Sequence, residues 1–285
     1  MGDYNIFHHM PWSSTYSIYF FVIGISAALF FFSTLSWFRQ EFEPLRKSAF
    51  YASFGLMVLG GLLLIVDLSQ PLRFLNMLNP AYLNFTSPLA WGGLNLVSFG
   101  AVSVAYFWMM RKNDDIDSRR LAVLGSILAL GLPIYTGFDL TVHQNRPVWN
   151  TPLMPILFVA MSLVSGAAVA SFMAGRHEKL LVMLRRFMLW SAGAVGVMLV
   201  SLLGTTAYGG VGQELTFMLM TSGTLGTIFI GVGMLLGTVA PIALLLAPFG
   251  KQQQGMMIAA ALILVGGMAL RYSILVGGQI VQTYF

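Results

Sequence analysis

The chain has 285 residues, of which 57% are hydrophobic and only 9% charged, with a mean hydropathy of +0.79, whereas soluble domains carry about 25% charged residues. This composition leaves no room for a sizeable water-soluble domain, and the absence of cysteine excludes disulfides, thiolate-held iron–sulfur clusters and cysteine zinc sites from this chain. The net charge of +5 and pI near 9.6 come from short loops between apolar runs, a membrane pattern rather than a nucleic-acid-binding face.

In chain order, the first twelve residues, MGDYNIFHHMPW, hold His8 and His9 but no Lys or Arg. They lack the cationic opening of a cleaved signal peptide, so the first span is expected to be kept. Apolar runs predict eight spans, at about 16–38, 50–68, 88–110, 121–142, 152–174, 187–207, 222–247 and 256–280. Each can cross the ~30 Å hydrocarbon layer as a helix of roughly 20 residues. The expected fold class is an all-α membrane protein with eight transmembrane helices. They form one polytopic domain over residues 1–285, split into two four-helix bundles at the wet stretch HQNRPVWNTP.

Twelve of the 15 Lys and Arg fall in alternate loops, RQEFEPLRK, RKNDDIDSRR, RHEKLLVMLRR and KQQQ. The opposite loops hold only Arg73 and Arg146, and Arg271 lies within the last span. The positive-inside bias therefore predicts both termini outside the cytoplasm. The outer loops are nearly neutral and rich in aromatics, Pro, Asn and Gly, as suits a docking surface for a partner protein or an aromatic belt. The glycine-dense seventh span, SGTLGTIFIGVGMLLGTVAP, predicts close helix packing.

An ionisable group inside lipid costs a few kcal/mol, so each needs a reason. Counting from the cytoplasmic ends at about 1.5 Å per residue, Tyr135 lies roughly 20 Å deep, Asp67 and Asp139 about 27 Å and Arg271 about 23 Å. All four fall in the outer third of the layer. Arg73 and Arg146 follow Asp67 and Asp139 closely enough for local pairing, and His143 shares the helical face of Asp139 if the fourth helix persists that far. End-of-helix ion pairs, a belt tyrosine, or pairing of Arg271 with Asp67 or a carbonyl are the structural alternatives. Clustered at one depth, the groups point to a polar pocket opening to the outer leaflet. No two histidines lie at membrane depth to hold a haem. A lipid-soluble quinone fits better, since its carbonyls want donors and its protons want a carboxylate or histidine.

Four stretches, VDLSQPLRFLNMLNPAYLNFTSPLAWGG (66–93), YTGF (135–138), RPVWNTPLMPILFVAMSLVSGAA (146–168) and GGMALRYSILVGGQ (266–279), resemble the polysulfide reductase-type membrane subunits of the NrfD/PsrC family. The resemblance implies an eight-helix, haem-free anchor that binds menaquinone or another quinone near the periplasmic face. It also implies a ferredoxin-like iron–sulfur subunit and a molybdopterin catalytic subunit as partners. Carried over, the quinone tyrosine is Tyr135, the proton-transfer acid is Asp67, and Arg271 matches the arginine of the last span. Asp139 stands where the family usually has an apolar residue. The first span shows no clear polar ligand, so Trp12, Ser14, Tyr16, Tyr19, His8 and His9 are all candidates for that wall.

The expectation is thus a quinol-oxidising or quinone-reducing subunit of a respiratory complex. Asp67, Asp139 and His143 are its proton-transfer candidates, and Tyr135, Arg271, Arg73, Arg146, Trp12 and Tyr19 its pocket candidates. A transporter would instead need polar groups through the full membrane thickness, and the inner half reads as nearly devoid of them. A passive anchor would not need the Tyr135 hydroxyl.

Overall fold

The computed structural model describes residues 12, 14–67, 79, 83–112 and 114–280, apart from the side chain of Asp67. Every regular element among them is helical: α1 Ser14–Leu35, α2 Arg46–Asp67, α3 Pro88–Lys112, α4 Asp115–Thr141, α5 Leu153–Met173, α6 Glu178–Ala207, α7 Val211–Thr221, α8 Gly223–Leu246 and α9 Gln253–Ile280. All but the short α7 are long and apolar enough to span a membrane, eight among the described residues.

The helices differ from the apolar runs mainly at their basic ends. α4 and α6 start at Asp115 and Glu178, a turn or more before the apolar runs, because charged residues suit a helix once it has left the lipid. Asp114 caps α4, its side chain accepting from the Asp117 N–H at 3.1 Å. The expected loop TTAYGGVGQELTF instead contains the start of α7, opened by Gln213, whose side chain accepts from the Gly210 N–H. Within α8, Thr227–Val239 winds as a π-helix, and Thr238 Oγ1 donates to the carbonyl five residues back, at Gly233.

α1 is the central helix, packed on α2, α4, α5 and α9. Lipid tails offer helices no hydrophobic drive to associate, so close approach of small residues carries the packing. The glycines of α8 do this as expected: a Cβ on Gly266 of α9 would fall 2.1 Å from Gly237 Cα of α8. A Cβ on Gly137 of α4 would fall 2.3 Å from Pro155 Cα, so α4 and α5 touch backbone to backbone where the site lies. Pro155 stands in the first turn of α5, where its missing N–H has no helical partner to lose.

The inner half of the bundle is not devoid of polar groups. Ser26 and Ser53 exchange hydrogen bonds with each other's carbonyls, Ser33 donates to the Arg46 carbonyl, and Ser126 donates to Thr34. Hydroxyls answered by nearby carbonyls weigh little on hydropathy, which is why apolar runs hide them.

Gly266→Ala should force α8 from α9 and lower stability by roughly 1–3 kcal/mol. Gly193→Ala, with nothing within 4 Å of the added carbon, should be neutral or stabilise by up to about 1 kcal/mol. Unfolding of the two variants in detergent measures the difference.

Candidate functional site

Two residues one turn apart on α4 set the geometry of the face opposite the basic loops. Tyr135 and Asp139 share a helical face, and both lie within electrostatic reach of Tyr19 on α1. Tyr16 joins them, completing a group of three phenols and one acid between α1 and α4. Asp139 is only 8% exposed and has no hydrogen bond or ion pair among the described residues. A buried carboxyl without a partner is costly, so it marks a place where a ligand, a proton or water is expected.

Tyr135 also faces outward. Its ring rests on α3 at Gly92, where an added Cβ would lie 2.1 Å from the Tyr135 Cζ. It lines a cleft of about 450 Å³ between α3 and α4, together with Trp91, Asn95, Ile134, Phe138 and Val142. A second cleft of about 620 Å³ opens on the other side of Phe138, between α4 and α5. Tyr135 therefore joins the buried acid to a lipid-facing groove. Asn95 holds its amide against Gly131 and donates to the Leu128 carbonyl at 3.0 Å. Sequence reasoning missed Asn95, Trp91 and Gly92; a lone Asn within an apolar run was the available signal.

Beyond α4 the chain turns into a second cluster. Trp12 stacks on Tyr16 at 5.2 Å and on Trp149 at 5.3 Å, with the His143 ring 5.4 Å from Trp12 and 5.5 Å from Trp149. Trp149 is fully buried, and its indole N–H donates to the Ile274 carbonyl at 2.8 Å. It fits only because Gly278 has no side chain: a Cβ there would lie 1.9 Å from Trp149 Nε1. Trp149 stood in the quoted RPVWNTP stretch, yet nothing in the sequence tied it to the last helix.

Three expectations need correction. Arg146 makes no ion pair with Asp139. It reaches α9, donating to the carbonyls of Gly278 at 2.9 Å and Gln279 at 2.6 Å, where a cation suits a helix C-terminus. His143 does not share Asp139's helical face, because α4 ends at Thr141 and the turn carries the imidazole to the tryptophans. Arg271 lies near mid-height rather than in the outer third, its guanidinium beside Gly24, midway along α1, and Ser162 of α5. A long side chain on a helix leans back toward the N-terminus, and Arg271 duly donates to Gly267, one turn earlier, at 3.1 Å. It is fully buried and pairs with no acid among the described residues. The Asp67 carboxyl, Arg73, His8 and His9 lie outside the described residues.

Burial, and secondarily the charge of Arg146, pulls the His143 imidazole below its ordinary value. The neutral ring is the form that fits between the indoles.

The family model described as "Polysulphide reductase, NrfD" matches residues 3–282. The chain is 28% identical to the C component of polysulfide reductase from Wolinella succinogenes, over 98% of this protein and 97% of that one. It is 26% identical to protein NrfD of Escherichia coli, over 96% of each. It is also 26% identical to the C component of tetrathionate reductase from Salmonella typhimurium, over 66% of this protein and 56% of that one.

Because His143 has a lower pKa folded than unfolded, its contribution to stability is complete above the unfolded value of about 6.5 and is lost as pH falls through the folded value. Acidification should therefore loosen the Trp12–Trp149 stack. Tryptophan fluorescence titrated through this range should show the step, and His143→Gln should abolish it.

Proposed function

The chain belongs to the polysulphide reductase NrfD family, and from that premise we propose that it is the membrane-anchor subunit of a respiratory molybdopterin oxidoreductase complex, binding menaquinone or a related quinone beside Tyr135. It is a multi-pass protein of the bacterial inner membrane. The concentration of Lys and Arg on one face supports a periplasmic location for the opposite face, which carries the site, and for both termini. There a ferredoxin-like iron–sulfur subunit would dock, bearing the distal cluster, and beyond it the molybdopterin subunit that acts on the terminal substrate. Relatives named as the C components of polysulfide and tetrathionate reductases support the anchor role.

The observation that carries the quinone reading is the buried, unpartnered Asp139 one turn from Tyr135, where Tyr135 also lines a lipid-facing cleft. The fit is chemical as well as spatial. The Tyr135 hydroxyl would donate to a quinone carbonyl, and Ile134, Phe138 and Val142 would offer apolar walls for the ring and its prenyl chain. Bound as quinol, the group supplies two electrons and two protons. Asp139, behind Tyr135 and one turn along α4, would accept a proton, and Tyr19 and Tyr16 would give it phenols to exchange with. Asp67 and His143 would hand protons on to the aqueous face. Electron flow in the opposite direction uses the same residues in reverse.

Arg146 and Trp149 have a different part, holding the loop to α9 so that the periplasmic face presents a firm surface. Arg271, about a turn deeper than the Tyr135–Asp139 level, supports the site through the packing of α1, α5 and α9. Arg73 would contribute its charge from the loop after α2. A transporter reading is weaker, because among the described residues no carboxylate is buried in the inner half.

In the purified complex, Asp139→Asn should lower quinol oxidation by about 10²–10⁴-fold, and Tyr135→Phe by roughly tenfold, the worth of one hydrogen bond. Gly92→Ala, which displaces the Tyr135 ring without touching its hydroxyl, should resemble Tyr135→Phe. Cluster content and assembly should be unchanged in all three. Normal turnover in Asp139→Asn and Tyr135→Phe would leave a passive anchor.

A further inference from the structure

On the basic face, far from the Tyr135 cleft, α6 and the turn between α8 and α9 border a further cavity of about 580 Å³. Its rim carries three cations, Arg176, Arg185 and Lys251, against one acid, Glu178. None of the four is in an ion pair among the described residues, where the one pair is Arg120–Asp117. With three cations against one acid, the rim carries a net positive charge that favours an external anion.

The rim is built rather than fortuitous. Gly175 takes a positive φ of 56° to turn the chain into α6 and present Arg176. A Cβ on Gly250 would fall 2.1 Å from the Leu244 carbonyl oxygen, so only glycine permits the tight turn that presents Lys251. Arg185 is anchored by donating from Nε to the Leu245 carbonyl at 2.9 Å, which closes α8 against α6. Gln253 ties the two sides together, donating to the Gly175 carbonyl at 2.9 Å.

The walls beneath the cations are apolar. Leu181, Val182 and Met256 line the cavity, and Val182 opens onto the outside of the bundle, 49% exposed. Trp190, 82% exposed on α6, lies five residues beyond Arg185, about 7.5 Å along the axis. An exposed indole at that position marks the headgroup level of the bilayer, so the cations sit where lipid phosphates lie. We propose that this cavity is a binding site for an anionic glycerophospholipid, with the phosphate held by Arg176, Arg185 and Lys251 and the upper acyl chains along Leu181 and Val182. Guanidinium pairs two N–H donors with phosphate oxygens, and basic pockets between transmembrane helices favour anionic headgroups. A free inorganic anion would use the cations but leave the apolar wall idle. The bound lipid would brace α6 against the α8–α9 turn.

The test uses the intact chain with its partner subunits, reconstituted in bilayers of equal parts phosphatidylcholine and phosphatidylglycerol, then gently solubilised and weighed by native mass spectrometry. The protein should retain phosphatidylglycerol in preference to phosphatidylcholine. Arg176→Gln with Lys251→Gln should cut that preference about tenfold, and Glu178→Gln should raise it. Arg119→Gln, on the same face outside the cavity, should leave it unchanged. Arg176 and Lys251 are exposed, so their replacement tests binding rather than folding, with helical circular dichroism as the check. Equal retention of the two lipids, an undiminished preference in the double variant, or displacement of the lipid by excess inorganic phosphate would each overturn the assignment.

Discussion

The architecture turns on a single buried charge. Arg271 is fully enclosed near the middle of the bundle, where its guanidinium reaches the Gly267 carbonyl and Ser162, and lies 5.3 Å from the Phe21 ring. A cation at that depth is among the costliest groups a membrane protein can hold, so the helices around it must stay close enough to surround it. Gly24 meets this demand: an added Cβ would collide with Ser162 Oγ at 2.3 Å and approach the Arg271 Nη2 at 3.2 Å. The spacing of α1, α5 and α9 is therefore set by the guanidinium and the small residues packed against it.

From that centre the packing passes outward to the site. α1 carries Tyr16 and Tyr19 from the enclosed region toward α4, while α5 meets α4 in the Gly137–Pro155 contact just below Asp139. α9 continues to Gly278, which receives Trp149, and to carbonyls that receive Arg146. Tyr135 and Asp139 are thus held from three sides by rigid helices. Such placement is what a hydrogen-bond donor and a proton acceptor need if they are to meet a flat ring entering from lipid.

Much of this was legible beforehand, and the reasons are physical. Twenty-residue apolar runs can do little else in lipid than form helices, so all eight spans were apparent, and the polar residues of YTGFDL stood out because each is expensive where it lies. Arg271 was visible as costly, but its height was not, because counting residues locates a Cα and ignores the lean of a long side chain. Local spacing offers Arg146 and His143 neighbours along the chain, whereas their actual partners are α9 carbonyls and the indoles of Trp12 and Trp149. Such long-range pairings leave no local trace. The same holds for Gly92, whose purpose appears only when the Tyr135 ring is seen resting on it.

The cluster of Trp12, His143, Trp149 and Arg146 has a consequence for the order of assembly. Its anchoring acceptors are the carbonyls of residues 274, 278 and 279, and Gln279 in turn donates to the Trp12 carbonyl at 3.2 Å. During synthesis, the loop after α4 emerges more than a hundred residues before these partners exist. The first helix and the middle loop must therefore wait until α9 enters the bilayer. The end of the bundle opposite the basic loops is closed only once α9 is in place, so a chain that stops before α9 cannot offer a finished surface.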